Sequence, residues 1–111
     1  EYLDSPGVQL VAIFANSELV AYIGITEFEG WGHIDRVAVL PERQGEGLGQ
    51  AAVIAGLDAL RQGGARRVGL STQRSNVRSQ RLYERLGFQR TPDLDYHLYG
   101  VATGTPARLA R

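Results

Sequence analysis

The sequence contains no cysteine, no methionine and no lysine among its 111 residues. Without cysteine it has no disulfide framework, no thiolate metal ligand and no cysteine nucleophile. His33 and His97 are its only histidines, which argues against a structural zinc site, and we expect no metal. No apolar run approaches the roughly 20 residues that a membrane span needs, and the first residues do not show the basic-plus-apolar pattern of a signal segment. We therefore expect a cytoplasmic protein without a membrane partner.

Composition and length together predict a single small domain. With 43% hydrophobic and 22% charged residues, the chain resembles an ordinary globular protein, and its length suffices for one core. We therefore expect one domain over residues 1–111. Because even an initiator methionine is absent, we interpret the chain as a piece of a longer protein, incomplete at its N-terminal end.

The net charge of zero conceals an uneven distribution. Residues 1–60 carry nine acidic and two basic residues, whereas residues 61–111 carry ten arginines and three acidic residues. Either the two halves pack together and cancel, or an anionic ligand binds near the second half and a cationic one near the first. No continuous basic stripe alternates with aromatic residues, so we expect no nucleic-acid partner.

The pattern of apolar and turn residues predicts eight elements in the order βββ–α–β–α–ββ. The predicted strands are 8–15, 19–28, 33–40, 66–72, 88–90 and 96–101, and the predicted helices are 48–62 and 76–86. The first three strands read as an antiparallel meander. The strand–helix–strand segment that follows predicts a parallel pair with a right-handed crossover. The fold class is therefore α/β, with helices packed on a mixed sheet.

The third strand carries two candidate polar residues. Strict alternation places His33 and Asp35 on one face and Ile34 on the other. The same alternation predicts that Val37 and Val39 share the face of His33 and Asp35.

Three glycines at every second position, Gly45, Gly47 and Gly49, separate this strand from the first helix. A strand, a glycine-rich turn and a helix N-terminus together form an anion site. A P-loop is excluded because the chain has no lysine, and the dinucleotide pattern fails because Gln50 stands where its third glycine belongs. A third pattern, Gln/Arg-x-x-Gly-x-Gly/Ala, fits from Gln44 onwards. The alternative is that the glycines only form a tight turn.

Two segments resemble the GNAT-type N-acetyltransferase superfamily, which binds acetyl-coenzyme A. They are VAVLPERQGEGLG at 37–49 and NVRSQRLYERLGF at 76–88, and the resemblance extends over roughly residues 19–99. Members of the family usually begin with a strand and one or two helices that form much of the acceptor wall. Only residues 1–7 precede the first clear strand here, so we expect either that those elements lie outside this fragment or that another chain supplies the wall.

The resemblance implies the GNAT fold and acetyl-CoA as cosubstrate. It implies that backbone amides from Gly45 to Gln50 hold the pyrophosphate, and that the strand at 37–39 pairs with the pantetheine amides like an added β-strand. The cofactor-binding residues that it implies are Val37, Ala38, Val39, Gln44, Gly45, Glu46, Gly47, Leu48, Gly49, Gln50, Asn76, Ser79 and Tyr83.

The second helix contributes the proton donor that the resemblance implies. In the family the tyrosine at the position of Tyr83 lies beside the thioester sulfur and protonates the departing thiolate. The alternative is a core aromatic residue with a satisfied hydroxyl. Asn76 is a plausible N-cap of the same helix, and this role is compatible with cofactor binding. Ser79 stands at a position where the family usually has alanine.

Acetyl transfer also needs a base, because an ammonium group has no lone pair with which to attack the thioester. Some family members carry a glutamate or histidine base at the position of His33, and histidine titrates near neutral pH. The alternative for His33 is a half-exposed surface residue. Asp35 is placed to orient His33 or to attract the ammonium group. Glu27 and Glu29 are candidates for an acidic acceptor mouth, or are solvated turn residues.

These observations predict an N-acetyltransferase that moves an acetyl group from acetyl-CoA to a primary amine of a small molecule or peptide. Attack is direct, within a ternary complex. The alternative is a non-catalytic coenzyme A-binding sensor or partner domain. The absence of the family's N-terminal strand and helices from this sequence favours that alternative. The same lack of opening helices predicts exposed apolar sheet, covered by a homodimer partner or an additional domain.

Overall fold

The computed structural model describes residues 4–92 and 95–99. The strands are β1 (Val8–Ala15), β2 (Glu18–Phe28), β3 (Trp31–Val39), β4 (Arg67–Ser71), β5 (Gln89–Arg90) and β6 (Asp95–Tyr99), and the helices are α1 (Leu48–Gln62) and α2 (Val77–Arg85). The predicted order of elements is confirmed. The predicted end of the last strand, at residues 100–101, lies outside the described residues.

Six strands form one mixed sheet in the order β1-β2-β3-β4-β6-β5. The meander β1–β2–β3 is antiparallel, as predicted. The parallel pair is β3 and β4, with α1 as its crossover, and this prediction is also confirmed. The pairing of β3 with β4 covers only three residues of each strand, from Trp31 to His33 and from Arg67 to Gly69.

A single cluster of buried side chains joins both helices to one face of the sheet. Gly56 of α1 lies over Ile23 of β2 so closely that a Cβ atom there would stand 2.6 Å from the Ile23 side chain. The ring of Tyr83 on α2 packs against Tyr96 of β6, which is fully buried, at a centroid distance of 5.9 Å. No described helix is long and apolar enough to cross a membrane.

A β-bulge interrupts β3 at Asp35. Ile25 of β2 pairs with Ile34, and the preceding Gly24 pairs with Arg36, so the register of the two strands skips Asp35, which is the extra residue of the bulge. A bulge of this kind shifts the alternation of side chains by one position along the bulged strand.

The bulge makes the predicted placement of Val37 and Val39 wrong. Val37 pairs with Ile23, and directly paired residues in an antiparallel sheet point to the same face. Val37 and Val39 therefore face the helices, where both pack against the core cluster. His33 and Asp35 share the opposite face, as predicted.

The face opposite the helices carries most of the large apolar side chains that remain exposed. Pairing of β1 with β2, and of β2 with β3, places five of them there: Leu10, Phe14, Leu19, Phe28 and Trp31. Exposed apolar groups gathered on one surface are typical of an interaction site. The predicted homodimer partner or additional domain over this face stays a prediction.

Candidate active site

A cavity of about 950 Å³ opens where β3 and β4 separate. Their last paired residues are His33 and Gly69, where the ladder between β3 and β4 ends, whereas β3 itself continues to Val39. Residues of β3, the glycine turn, the end of β4 and the exposed side of α2 line the cavity. The separation therefore leaves a strand edge available to an extended ligand.

The glycine turn forms one end of the cavity. Gly45 and Gly47 have φ angles of 89° and 81°, in the left-handed region that favours glycine. Gly47 is the N-cap of α1, and its carbonyl accepts the N–H of Ala51 at 3.1 Å. The N–H groups of the first turn of an α-helix lie before this first bond of the helical ladder and point toward the N-terminal end of the helix.

Each glycine of the turn has a different relation to its surroundings. A Cβ atom at Gly47 would have no heavy atom within 4 Å, whereas one at Gly49 would touch Leu82 and Val39 at 3.9 Å. The backbone conformation therefore favours glycine at Gly45 and Gly47. Gly49 has an ordinary helical conformation, so its lack of a side chain is not required by the turn.

The N-terminus of α2 supplies the opposite wall. The side-chain oxygen of Asn76 accepts the backbone N–H of Ser79 at 3.2 Å, which confirms the predicted capping role. Both residues line the cavity. The side-chain amide of Gln80 donates to the backbone carbonyls of Gln73 and Arg74 and ties the preceding loop to the helix.

Tyr83 is both a core aromatic residue and a cavity residue. Its side chain is only 8% exposed and packs against the rings of Phe88 and Tyr96, yet it lines the cavity. Burial raises the pKa of Tyr83 above the ordinary 10.0 of tyrosine. The phenol is therefore protonated at neutral pH and available as a hydrogen-bond or proton donor.

A three-residue hydrogen-bond chain lies on the opposite face of the sheet. Thr26 donates its hydroxyl to one carboxylate oxygen of Asp35 at 2.7 Å, and the other oxygen lies 2.7 Å from Nδ1 of His33. An ionised carboxylate only accepts hydrogen bonds, so Nδ1 of a neutral His33 carries the proton. This assignment leaves the lone pair on Nε2. The His33 side chain is 53% exposed and Asp35 20%.

The candidate acid and base therefore lie on different sides of the sheet. Tyr83 packs on the helix side, and His33 lies on the other side at the last paired position before the strands separate. Asp35 lines the cavity, whereas His33 does not. A ligand that passes between β3 and β4 would be accessible from both sides of the sheet. Tyr83 could then donate a proton to it from one side, and His33 could accept a proton from it on the other.

The structure brings most of the predicted cofactor residues together around the cavity. Those that line it are Val37, Val39, Gln44, Gly45, Gly47, Leu48, Gly49, Gln50, Asn76, Ser79 and Tyr83. Ala38 and Glu46 are absent from the lining, and Glu46 forms an ion pair with Arg43 at 2.9 Å. Their role in cofactor binding stays a prediction.

Glu27 and Glu29 are placed away from the cavity lining. One Glu27 oxygen accepts the backbone N–H of Gly30 at 2.9 Å, which stabilises the turn between β2 and β3. Glu29 lies in that turn and is exposed. Their predicted role in substrate binding stays a prediction, and the contacts favour the alternative of turn residues.

Sequence reasoning missed Thr26 and three cavity-lining arginines, Arg78, Arg81 and Arg85. The two-residue turn after β2 fixes the register that pairs Thr26 with His33, so counting back from the turn would have found the threonine. The arginines recur at intervals of three and four residues, which places them along one helix face. No group of three histidine, cysteine or acidic side chains suited to a metal ion occurs among residues 4–92 and 95–99.

Known proteins share this architecture and parts of this sequence. A mycothiol acetyltransferase of Actinosynnema mirum is 35% identical over 99 residues, which are 88% of this chain and 33% of that protein. The structure of the ribosomal-protein-S18-alanine N-acetyltransferase from Escherichia coli superposes with a TM-score of 0.78 at 23% identity, over 91% of this chain and 74% of that one. The PaiA N-acetyltransferase of Thermoplasma acidophilum, solved with coenzyme A, has a TM-score of 0.72 at 19% identity, over 82% and 58%.

The acetyltransferase (GNAT) family matches residues 1–88. The chain therefore belongs to the GNAT acetyltransferase family, which confirms the resemblance seen in the two sequence motifs, and its sheet has the fold of that family. The chain spans about a fifth to a third of the length of the mycothiol acetyltransferases that it matches.

Proposed function

We propose that this domain transfers an acetyl group from acetyl-CoA to a primary amine by direct attack in a ternary complex. The observation that carries the proposal is the cavity between β3 and β4, which is lined by the glycine turn and by Tyr83. The names of related proteins point to two acceptor classes, a small molecule as in mycothiol acetyltransferase and a protein as in the S18-alanine enzyme.

The cavity offers complementary groups to each part of coenzyme A. The amides before Ala51 and the positive end of the α1 dipole suit a diphosphate. The unpaired edge of β3 from Val37 to Val39 suits the amides of pantetheine, which would extend the sheet by hydrogen bonding. The PaiA neighbour, which shares the fold, was solved with coenzyme A.

The chain's own residues supply the proton transfers. When bound, acetyl-CoA supplies an acetyl group activated as a thioester. His33 accepts a proton on Nε2 from the attacking amine, directly or through water, while Asp35 holds the imidazole in that tautomer. As the carbon–sulfur bond breaks, the Tyr83 hydroxyl donates its proton to the departing sulfur and regains one from water.

Release of free thiol from acetyl-CoA tests this function against the non-catalytic alternative. With a panel of small amines and peptides, we expect thiol release that depends on both protein and acceptor. Acetyl-CoA should also raise stability, by about 2.7 kcal/mol at a hundredfold excess over its dissociation constant. Stabilisation without thiol release from any acceptor would favour a coenzyme A-binding module. If neither occurs, both functions are wrong.

Gly47→Asn separates the two explanations of the glycine turn. Asparagine tolerates the left-handed conformation, and the space beside Gly47 is open, so we expect an apo protein of nearly unchanged stability. If the diphosphate approaches the backbone closely, the added side chain obstructs it. Calorimetric titration should then show acetyl-CoA affinity reduced by about a hundredfold, the loss of two or more hydrogen bonds to a charged group. Wild-type affinity would leave the tight turn as the only role of this glycine.

Location and assembly remain parts of the proposal. We propose a cytoplasmic protein without nucleic-acid or membrane partners, in keeping with its composition. The apolar face that carries Phe14 and Trp31 supports the expectation that a second copy or a further domain covers the sheet.

A further inference from the structure

Three arginines of α2 line the same cavity and form no ion pair with a carboxylate of residues 4–92 or 95–99. Arg78, Arg81 and Arg85 recur at intervals of three and four residues, and all three line the cavity. They belong to the part of the sequence, residues 61–111, that holds ten arginines against three acidic residues. Three of the ten arginines in this part of the sequence therefore lie together in the cavity lining.

Two arginines elsewhere in the fold form ion pairs. Arg43 pairs with Glu46 and Arg61 with Asp58, at 2.9 Å and 2.7 Å. Among the residues that the structure describes, no carboxylate lies within ion-pair distance of the three α2 arginines. The nearest acidic residue in sequence, Glu84, instead accepts the hydroxyl of Tyr96 at 2.9 Å. Three neighbouring positive charges on one open wall favour an anionic ligand.

Arg78 lies beside the glycine turn. Its guanidinium nitrogen would stand 3.8 Å from a Cβ atom at Gly45, so it borders the place proposed for the diphosphate. The backbone amides of the turn already suit that diphosphate. Coenzyme A carries a further phosphate, a monoester on the ribose 3′ oxygen, with a charge of about −1.5 to −2 at neutral pH and three acceptor oxygens. Guanidinium groups match such a phosphate with two parallel hydrogen bonds.

Resting on the proposed function, we infer that the α2 arginines bind the 3′-phosphate of coenzyme A. The domain then selects acetyl-CoA over acetyl-3′-dephospho-CoA, with Arg78 making the largest contribution because it lies nearest the turn. Arg81 and Arg85, one and two turns further along α2, add a weaker and salt-sensitive attraction.

The test compares the two acetyl donors on the wild-type chain and on Arg78→Gln, with kcat/KM from thiol release and Kd from calorimetry. We expect wild type to prefer acetyl-CoA by about 10–100-fold, the range of a charge-assisted hydrogen-bond pair. In Arg78→Gln the affinity for acetyl-CoA should fall until the two donors differ by less than about threefold, with the dephospho donor unchanged. Arg74→Gln is the matched control, because Arg74 precedes α2 and lies outside the cavity lining; it removes the same charge and should keep the preference.

Three results would overturn the inference. Equal loss of affinity for both donors in Arg78→Gln would assign the arginine to the diphosphate. A changed KM for the acceptor alone would assign it to acceptor binding. A wild-type protein that uses both donors equally well would show that the 3′-phosphate is not recognised, while leaving the acetyltransferase function intact. Only failure of both donors to bind would remove the proposed function itself.

Discussion

Tyr83→Phe is expected to lower kcat by about 10²–10⁴-fold while the dissociation constant of acetyl-CoA stays close to that of wild type. Phenylalanine keeps the ring that packs against Phe88 and Tyr96 and removes only the hydroxyl. If this hydroxyl protonates the departing sulfur, its loss acts on the transition state and spares ground-state binding. Steady-state kinetics and calorimetric titration of the same preparation give both quantities.

The pH dependence of kcat gives a second readout of the same residue. A phenol acts as an acid only while protonated, and burial raises the pKa of Tyr83 above 10.0. Activity that depends on this proton therefore persists through neutral pH and is lost only as the pH rises past that elevated value. We expect any falling limb of the wild-type profile above pH 10 to disappear in Tyr83→Phe.

Tyr96→Phe is the matched control for this prediction. Tyr96 is a neighbouring buried tyrosine outside the cavity lining, and its hydroxyl donates to Glu84 at 2.9 Å. Its removal should lower the free energy of unfolding by about 1 kcal/mol, the usual worth of one hydrogen bond, and leave kcat nearly unchanged. Wild-type kcat in Tyr83→Phe would mean that Tyr83 is a core aromatic residue only.

Local patterns in the sequence accounted for the helices and for the order of the strands. The helical period from Leu48 onwards and the glycine pair after Gln62 predicted α1 with the bounds that the structure shows. Asn76 could likewise be predicted as the cap of α2, because capping is a local interaction between residues three positions apart. Such signals lie within one turn of chain and need no knowledge of the remaining fold.

The face of β3 could not be predicted in the same way. Alternation placed His33 and Asp35 correctly but placed Val37 and Val39 on the wrong face. The bulge at Asp35 arises from pairing with β2, and nothing in the β3 sequence alone marks it. It has a chemical consequence, because the extra residue brings the Asp35 carboxylate within 2.7 Å of both His33 and Thr26.

The residues of the candidate site also fall into two groups, those that belong to local sequence motifs and those that depend on contacts between separate elements. The glycine turn and Tyr83 belong to contiguous motifs, so the sequence contained them in recognisable form. The hydrogen bond from Thr26 to Asp35 depends on strand pairing, and the cavity position of Arg78 depends on where α2 packs against the sheet. Contacts of this kind join residues from separate elements and follow only from the assembled fold.

His33→Gln is expected to remove the rising limb of the pH–rate profile for acceptors whose amines are protonated at neutral pH. Its kcat/KM for these acceptors should fall by about 10²–10⁴-fold, the usual contribution of a general base. Glutamine retains a polar group beside Asp35 but cannot accept the proton. Acceptors whose amines are already neutral should be least affected, because they need no proton removed before attack.

Two further variants assign this limb to His33 and to its network. Asp35→Asn removes the carboxylate that lies 2.7 Å from Nδ1 of His33, so kcat/KM should fall because the imidazole loses the group that holds its tautomer. His97→Gln is the matched control: it replaces the other histidine of the sequence, whose ring lies over Gly69 on the same face of the sheet. The limb should survive in His97→Gln. If it instead survives in His33→Gln, water removes the amine proton, and the hydrogen-bond chain through Asp35 to Thr26 only braces the bulge of β3.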